Sequence, residues 1–205
     1  MAKILQFTPT PPAKFGFERV KKRKKTEPEK QDQLNLFSAA VGRIFHLPRS
    51  SSSFEEALML DELGDKKASE FYHRAIEEGD CIADAYCNLG ILESQAGRTT
   101  KAFECFTQSL KHDPRHFESH YNLGNLYFET GDFRLAQVHY ELAAQVEPNF
   151  PNVYFNLGLV HAIEEHFNEA VEALGTYRKL APPTEGSKAD ELLINLKRSL
   201  TAAKR

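Results

Sequence analysis

A pattern that returns every 34 residues constrains this chain more than any other feature of its sequence. An aromatic or cysteine residue followed by Asn-Leu-Gly ends at Gly90, Gly124 and Gly158. An alanine follows each glycine by twelve residues, and a proline recurs at the same period; these residues are Ala102, Ala136, Ala170, Pro114, Pro148 and Pro182. Self-similarity at this period indicates a stack of similar structural units.

Each copy predicts two helices joined by a short turn. In the first copy we expect helices over 83–95 and 99–112, with Gly97 in the turn between them. Pro114 follows the second helix, because proline cannot continue the backbone hydrogen bonding of a helix. A glycine inside a helix costs about 1 kcal/mol relative to alanine. Gly90 therefore predicts a close approach of the second helix, with Ala102 as its small partner.

These residues resemble the tetratricopeptide repeat family. The resemblance implies an all-α fold, namely a right-handed α-α superhelix of helix-turn-helix repeats with a C-terminal capping helix. Full repeats are expected over 83–116, 117–150 and 151–184, after a degenerate repeat over 53–82 and before a capping helix over 187–203. In the degenerate repeat, Ser53 and Glu56 have the spacing of a helix N-cap and its capping box.

Charge is distributed unevenly along the chain. Residues 1–50 contain 11 Lys and Arg against 4 Asp and Glu, whereas residues 51–205 contain 15 against 25. Dense like charge and few apolar residues oppose folding, so we expect residues 1–48 to be a disordered basic tail. The run Lys21–Lys25 is compatible with nucleic-acid binding. The interpretation that we favour is a solvated charge cluster, or one that lies on the acidic repeats.

A second motif in the tail comprises Gln33, Leu34, Leu36 and Phe37, with Asn35 in its middle. It resembles the bacterial sliding-clamp-binding pentapeptide, from which Asn35 is the departure. The resemblance implies a sliding clamp as partner, with the Gln amide as anchor and Leu36 and Phe37 in an apolar pocket. The alternative is the start of a weak amphipathic helix.

The family resemblance also implies that the first helices of the repeats line a concave surface for extended peptides. Asn88, Asn122 and Asn156 occupy one repeat position. They resemble the asparagine ladder of sugar-transferase tetratricopeptide arrays, since a carboxamide offers both a donor and an acceptor to a peptide backbone. The alternative is that these residues serve the repeat itself and face water. Further groove positions are Tyr121, Asn125, Phe128, Phe155 and Leu159.

The residue types expected along this groove limit the kind of ligand that it can bind. Some tetratricopeptide domains grip a C-terminal carboxylate with Lys and Arg, but the matching positions here are Asp84, Glu118 and Asn152. We therefore expect a neutral or basic, partly apolar segment as ligand. The protein's own basic tail is one candidate.

The sequence contains no Gly-rich phosphate loop and no Ser-centred elbow. Pro114 interrupts the run of His112, His116 and His120, and the three cysteines match no zinc or redox spacing. We expect no catalysis, no metal and no cofactor. The sequence has neither a membrane-spanning apolar run nor a signal peptide, which predicts a cytoplasmic protein.

The predicted function is a non-enzymatic scaffold or adaptor that binds a peptide or partner helix in its groove. One alternative is an adaptor that its tail recruits to DNA or a replication clamp. Another is an accessory subunit of a separately encoded enzyme.

Overall fold

The computed structural model describes residues 13–21 and 51–203, and every regular element in these ranges is helical. The α-helices are α1 (Ser53–Glu62), α2 (Ala68–Glu78), α3 (Ile82–Gln95), α4 (Thr99–His112), α5 (Phe117–Thr130), α6 (Phe133–Val146), α7 (Pro151–Ile163), α8 (Phe167–Leu180), α9 (Pro183–Gly186) and α10 (Asp190–Ala203). The all-α superhelix predicted from the repeat is confirmed.

Helix pairs form the building units of the array. Each odd-numbered helix from α1 to α7 packs on the helix that follows it, and each pair packs on the next pair. One large side chain of the second helix is fully buried at the same position of every pair; the four residues are Tyr72, Phe106, Tyr140 and Leu174. The hydrophobic core therefore continues from repeat to repeat, as stacked repeats require.

The glycines of the first helices make room for these large side chains. A Cβ atom on the glycine would lie 2.6 to 2.7 Å from the facing side chain in the pairs Gly90 and Phe106, Gly124 and Tyr140, and Gly158 and Leu174. The predicted close approach is present, and the side chain nearest to each glycine is the large residue of the second helix. Ala102 is buried nearby, yet it is the aromatic ring of Phe106 that needs the space of the missing side chain.

The first helix begins one residue earlier than the sequence suggested. Ser52, not Ser53, is the N-cap: its hydroxyl accepts a hydrogen bond from Glu55 N, and the Glu55 carboxylate accepts one from Ser52 N. Consecutive serines followed by Glu55 and Glu56 offer the capping-box pattern in two registers. Ser53 lies inside the helix, and its hydroxyl donates to the Glu78 carboxylate.

The turn of the third full repeat lacks the usual glycine. Gly131 ends α5 with a φ of 82°, a left-handed conformation that glycine adopts freely. Glu165 stands in the corresponding turn after α7 with a φ of 61°. A residue with a side chain pays roughly 1–2 kcal/mol for this conformation.

The C-terminal cap is more segmented than a single helix starting near Ser187. Pro183 starts the short helix α9, since proline suits the first helical position. A 3₁₀ turn over Ser187–Ala189 follows, and the regular helix begins only at Asp190. Leucines of this helix cover the end of the last pair, where Leu192, Leu193 and Leu196 are buried with Leu174.

Candidate peptide-binding groove

Residues 13–21 cross the first helices of the repeats. Phe15 pairs with Asn156 on α7, Glu18 with Asn122 on α5, and Val20 with Asn88 on α3. The segment thus runs against the order of the repeats. It crosses three repeats within six residues, which only an extended backbone can do. We call the surface beneath it, from Asp61 on α1 to Asn156 on α7, the groove.

This placement departs from the expectation that the tail has no fixed structure. Residues 13–21 pair with the groove through backbone groups, and no motif in the sequence reports such pairing. The remaining basic run beyond Lys21 lies outside the described residues. The pentapeptide of Gln33, Leu34, Leu36 and Phe37 also lies outside them.

Three asparagines bind the segment in the same way. The side-chain oxygen of Asn156 accepts from Phe15 N at 2.9 Å, and its nitrogen donates to Phe15 O at 3.2 Å. Asn122 holds Glu18 in this manner, with both distances at 2.8 Å. Asn88 holds Val20 at 2.9 and 3.2 Å. Each carboxamide therefore contacts only backbone atoms of its partner residue.

A buried polar network orients these amides. Asn125, one turn before the end of α5, donates to Gly16 O at 2.9 Å. Its oxygen accepts from Tyr140 OH at 2.7 Å and from Asn156 Nδ2 at 2.9 Å. Asn156 also donates to Tyr121 OH at 3.2 Å. These internal bonds hold the amides of Asn125 and Asn156 in the orientation that pairs with the backbone of the segment.

Aromatic side chains of the repeats pack against Phe15 and Phe17 of the segment. The ring of Phe15 meets Phe155 edge-on, with centroids 5.1 Å apart, and lies 5.8 Å from Tyr177. The ring of Phe17 stacks on Phe106 at 6.2 Å. Aromatic pairs of this kind contribute roughly 0.5–1.5 kcal/mol beyond their burial.

The other end of the segment is anchored by burial and charge. Val20 is 0% exposed and belongs to the core of the first two repeats. The Arg19 guanidinium forms an ion pair with Asp61, whose side chain is only 4% exposed. Asp61 also accepts from Tyr72 OH at 3.0 Å, and burial followed by the Asp61 charge raises the pKa of Tyr72.

A second ion pair lies near the start of the segment. Lys14 Nζ is 3.0 Å from a carboxylate oxygen of Glu129, at the end of α5. The lysine side chain is 11% exposed, and its ammonium also lies 5.4 Å from the centroid of Phe17. The tail and the repeats are therefore joined by opposite charges at both ends.

Glu18 is the exception to this charge pattern. Its backbone is held by Asn122, one helical turn after Glu118 on α5. Burial raises the pKa of the Glu18 carboxyl, and the charge of Glu118 raises it further, against the opposing effect of Lys21. The segment thus has one partly buried acid, and its backbone is held one helical turn from an acid of the groove.

The other predicted groove residues have varied positions. Phe155 contacts the segment directly, whereas Tyr121 lies below it as a hydrogen-bond partner of Asn156. Leu159 is buried in the cluster on which Phe15 packs. Phe128 packs edge-on against Phe133, with centroids 5.4 Å apart.

Asp61, Glu129 and Tyr177 contact the segment but were missing from the predicted site. Gly64 precedes Gly97 by 33 residues instead of 34, so the turn of the first repeat does not follow the 34-residue period. Asp61 lies just before this turn, where the period does not assign positions. Tyr177 stands at the repeat position that Ser109 and Ala143 occupy, so the repeat pattern does not predict an aromatic ring there. Its hydroxyl donates to Glu185 O, which directs the ring toward Phe15 and Phe155.

Family models decide the classification. Models described as "Tetratricopeptide repeat" match residues 83–116 and 105–138, and one described as "TPR repeat" matches residues 124–162. Residues 83–162 belong to the tetratricopeptide repeat family. Within residues 13–21 and 51–203, this tetratricopeptide repeat protein shows no group of three or more potential metal ligands. No helix in those ranges is both long and apolar enough to span a bilayer.

Curated relatives match part of the tetratricopeptide array. BBSome complex member BBS4 from Bos taurus is 28% identical over 116 residues, which are 57% of this chain and 22% of that protein. Anaphase-promoting complex subunit 3 from Schizosaccharomyces pombe is 24% identical over 106 residues, or 52% of this chain and 16% of that protein. The chain thus spans about a fifth of the length of these relatives.

Solved structures share the tetratricopeptide fold. A structure titled "MamA 41-end from Desulfovibrio magneticus RS-1" superposes with a TM-score of 0.62 and 21% identity, covering 74% of this chain and 88% of that chain. Another is titled "First TPR of Spaghetti (RPAP3) bound to HSP90 peptide SRMEEVD". It has a TM-score of 0.54 and 20% identity, and covers 58% of this chain and 93% of that chain.

Proposed function

We propose that this protein is a non-enzymatic interaction scaffold that binds an extended segment of a partner protein in the groove. The observation that carries the proposal is the pairing of Asn88, Asn122 and Asn156 with the backbone of residues 13–21. A site that recognises both the N–H and the C=O of a residue through one amide is suited to peptides and offers no group for catalysis.

The ligand expected here differs in charge from the peptide of the HSP90-peptide complex. The peptide in that complex, SRMEEVD, is acidic. Here Asp61 and Glu129 pair with Arg19 and Lys14 of the chain's own segment. Because opposite charges select the partner and like charges exclude others, a basic ligand suits this groove and an acidic one does not.

A binding measurement with an isolated peptide tests the proposal. The open variant is the full chain with Phe15→Ala and Val20→Asp, which remove the aromatic anchor and place a charge in the Val20 pocket. A fluorescent peptide of residues 12–22 is titrated with this chain and followed by anisotropy. We expect saturable binding, and roughly tenfold weaker binding when Asn122→Ala is added, since two hydrogen bonds are lost.

Asn168→Ala provides the matched control, because Asn168 is an exposed asparagine of α8. It should leave peptide binding unchanged. Absence of binding by a correctly folded open variant would refute the proposed function, and so would equal affinities of the Asn122→Ala and Asn168→Ala chains.

A further inference from the structure

Residues 13–21 show what kind of partner the groove selects. Resting on the proposed function, we infer that the partner presents an extended basic segment that displaces residues 13–21. It carries an aromatic residue in the place of Phe15, an uncharged residue in the place of Glu18, and arginine followed by a small apolar residue in the places of Arg19 and Val20.

The aromatic position is defined by two rings of the last repeat. Phe155 is 2% exposed and Tyr177 is 0% exposed, and their centroids lie 5.0 Å apart at a steep angle. Phe15 completes this group by meeting both rings. An aliphatic or charged side chain there would lose both ring contacts that Phe15 makes, so an aromatic residue is selected.

The arginine position is defined by a buried acid. Asp61 has only its contacts with Arg19 and Tyr72 to balance its charge in the described structure around it. An uncompensated buried carboxylate is strongly unfavourable. A guanidinium fits a carboxylate better than an ammonium does, because its donors form a planar fork. The next residue must be small and apolar, since Val20 is enclosed completely.

The position of Glu18 explains why the resident segment can be displaced. Glu18 is half-buried, and Asn122, which holds its backbone, lies one helical turn after Glu118 on α5. Two acids on neighbouring turns of the groove oppose binding. An uncharged residue at this position would keep the two bonds to Asn122, which involve the backbone alone. A partner segment without this acid therefore binds more tightly than the chain's own segment.

The asparagines permit this exchange without rearrangement. Asn88, Asn122 and Asn156 contact backbone atoms, so an incoming segment in the same direction forms the same six hydrogen bonds. Selection then depends on the side-chain positions alone. The resident segment has the advantage of being tethered, which gives it a high effective concentration.

Four labelled peptides of residues 12–22 test the inference: the native sequence, Glu18→Gln, Arg19→Glu and Phe15→Ala. A scrambled peptide of native composition controls for net charge. We expect Glu18→Gln to bind the open variant at least threefold more tightly than the native peptide. Arg19→Glu and Phe15→Ala should bind at least tenfold more weakly. The wild-type chain should bind each peptide at least tenfold more weakly than the open variant, because its own segment competes.

The outcomes separate this inference from the proposed function. If none of the peptides binds the open variant, the proposed function fails. If all bind equally, peptide binding stands and the side-chain selection is refuted. If the wild-type chain binds as tightly as the open variant, displacement of a competing segment is refuted.

Loss of fold in the open variant would be visible by circular dichroism. A second form of the chain avoids that problem: the native sequence with a protease site inserted between residues 22 and 50. Cleavage and dilution release the segment while every groove residue stays native. Binding should increase at least tenfold after cleavage, and unchanged binding would overturn the inference.

Discussion

Asn122 holds both backbone groups of Glu18 at 2.8 Å, although 104 residues separate the two in the chain. Both bonds involve only the backbone of Glu18, so the contact is independent of the glutamate side chain. Backbone recognition and side-chain selection are therefore separate properties of this groove. The first can be tested without changing the second.

Replacing Asn122 with alanine tests the backbone contact within the intact protein. The change removes both bonds to Glu18 and one weak contact with the Cys87 thiol at 3.4 Å. Two hydrogen bonds at about 0.5–1.5 kcal/mol each predict that the segment opens roughly tenfold more often. Hydrogen exchange of the Glu18 amide should accelerate by that factor, while exchange in α7 and α8 should not change. Asn168→Ala should leave the Glu18 amide protected, and an equal acceleration in both variants would contradict the assignment.

The repeat made the helices predictable, because its constraints are local. Gly90, Gly124 and Gly158 marked the helix faces that approach the next helix, and Pro114 marked a helix end. The positions of Asn88, Asn122 and Asn156 came from the same period. Each of these features depends on residues within one or two helical turns, where sequence spacing and spatial proximity agree.

The occupied groove could not be predicted in the same way. Phe15 and Asn156 are 141 residues apart, and nothing periodic connects them. The high charge of the tail predicted disorder. Composition alone does not reveal that Val20 becomes completely buried. The role of Asp61 could not be predicted either, because this residue lies in the repeat with the shortened turn. A tail with few apolar residues can still pair with a groove that recognises its backbone.

Replacing a helical glycine with alanine should have opposite effects on the stability of the protein at two positions, Gly124 and Gly175. In Gly124→Ala the new Cβ would lie 2.6 Å from the ring of Tyr140, so the core must shift. Overpacking of this kind costs about 1–3 kcal/mol and outweighs the helix propensity gained. In Gly175→Ala the Cβ enters open space, and the protein should gain about 0.5–1 kcal/mol.

Urea unfolding of both glycine variants measures these effects. We expect the midpoint to fall for Gly124→Ala and to rise for Gly175→Ala, with unchanged slopes. A stable Gly124→Ala protein would mean that Tyr140 moves aside without cost and that the glycine is not required for packing.

Arg19→Glu should destabilise the protein as well as release the segment. It would place a second carboxylate against Asp61, which is buried and also bonded to Tyr72. Loss of one member of a buried ion pair costs about 3–5 kcal/mol, and the partial exposure of Arg19 reduces this to roughly 2 kcal/mol. Urea unfolding measures the loss. Lys66→Glu, a change of equal net charge at an exposed residue of the turn before α2, should cost little.

A double variant separates charge from packing at this site. Asp61→Asn removes the buried charge, so Arg19→Glu should be much less harmful in that background. If Arg19→Glu lowers the free energy of unfolding by the same amount in the wild-type protein and in the Asp61→Asn variant, the ion pair does not stabilise the segment.

A pair of partly buried histidines predicts that stability depends on pH. Nδ1 of His120 lies 3.1 Å from Nδ1 of His139, and Nε2 of His120 lies 3.1 Å from the carbonyl oxygen of Pro114. The carbonyl can only accept, so His120 donates through Nε2 and accepts through Nδ1 from His139. Burial lowers the pKa of His139 to about 4, with a further contribution from His120, and burial also lowers the pKa of His120.

The sign of the effect follows from proton uptake. As pH falls below about 6.5, the unfolded chain binds a proton at each of these histidines while the folded protein keeps them neutral. Stability should therefore decrease between about pH 6.5 and pH 4, by roughly 1–2 kcal/mol for His139 after allowance for its partial exposure. His139→Gln, whose amide can still donate to His120, should reduce this decrease. His73→Gln, at an exposed histidine, should not. Urea midpoints from pH 7.5 to pH 4.5 for the three proteins give the comparison, and parallel curves for wild type and His139→Gln would exclude His139 as a source of acid sensitivity.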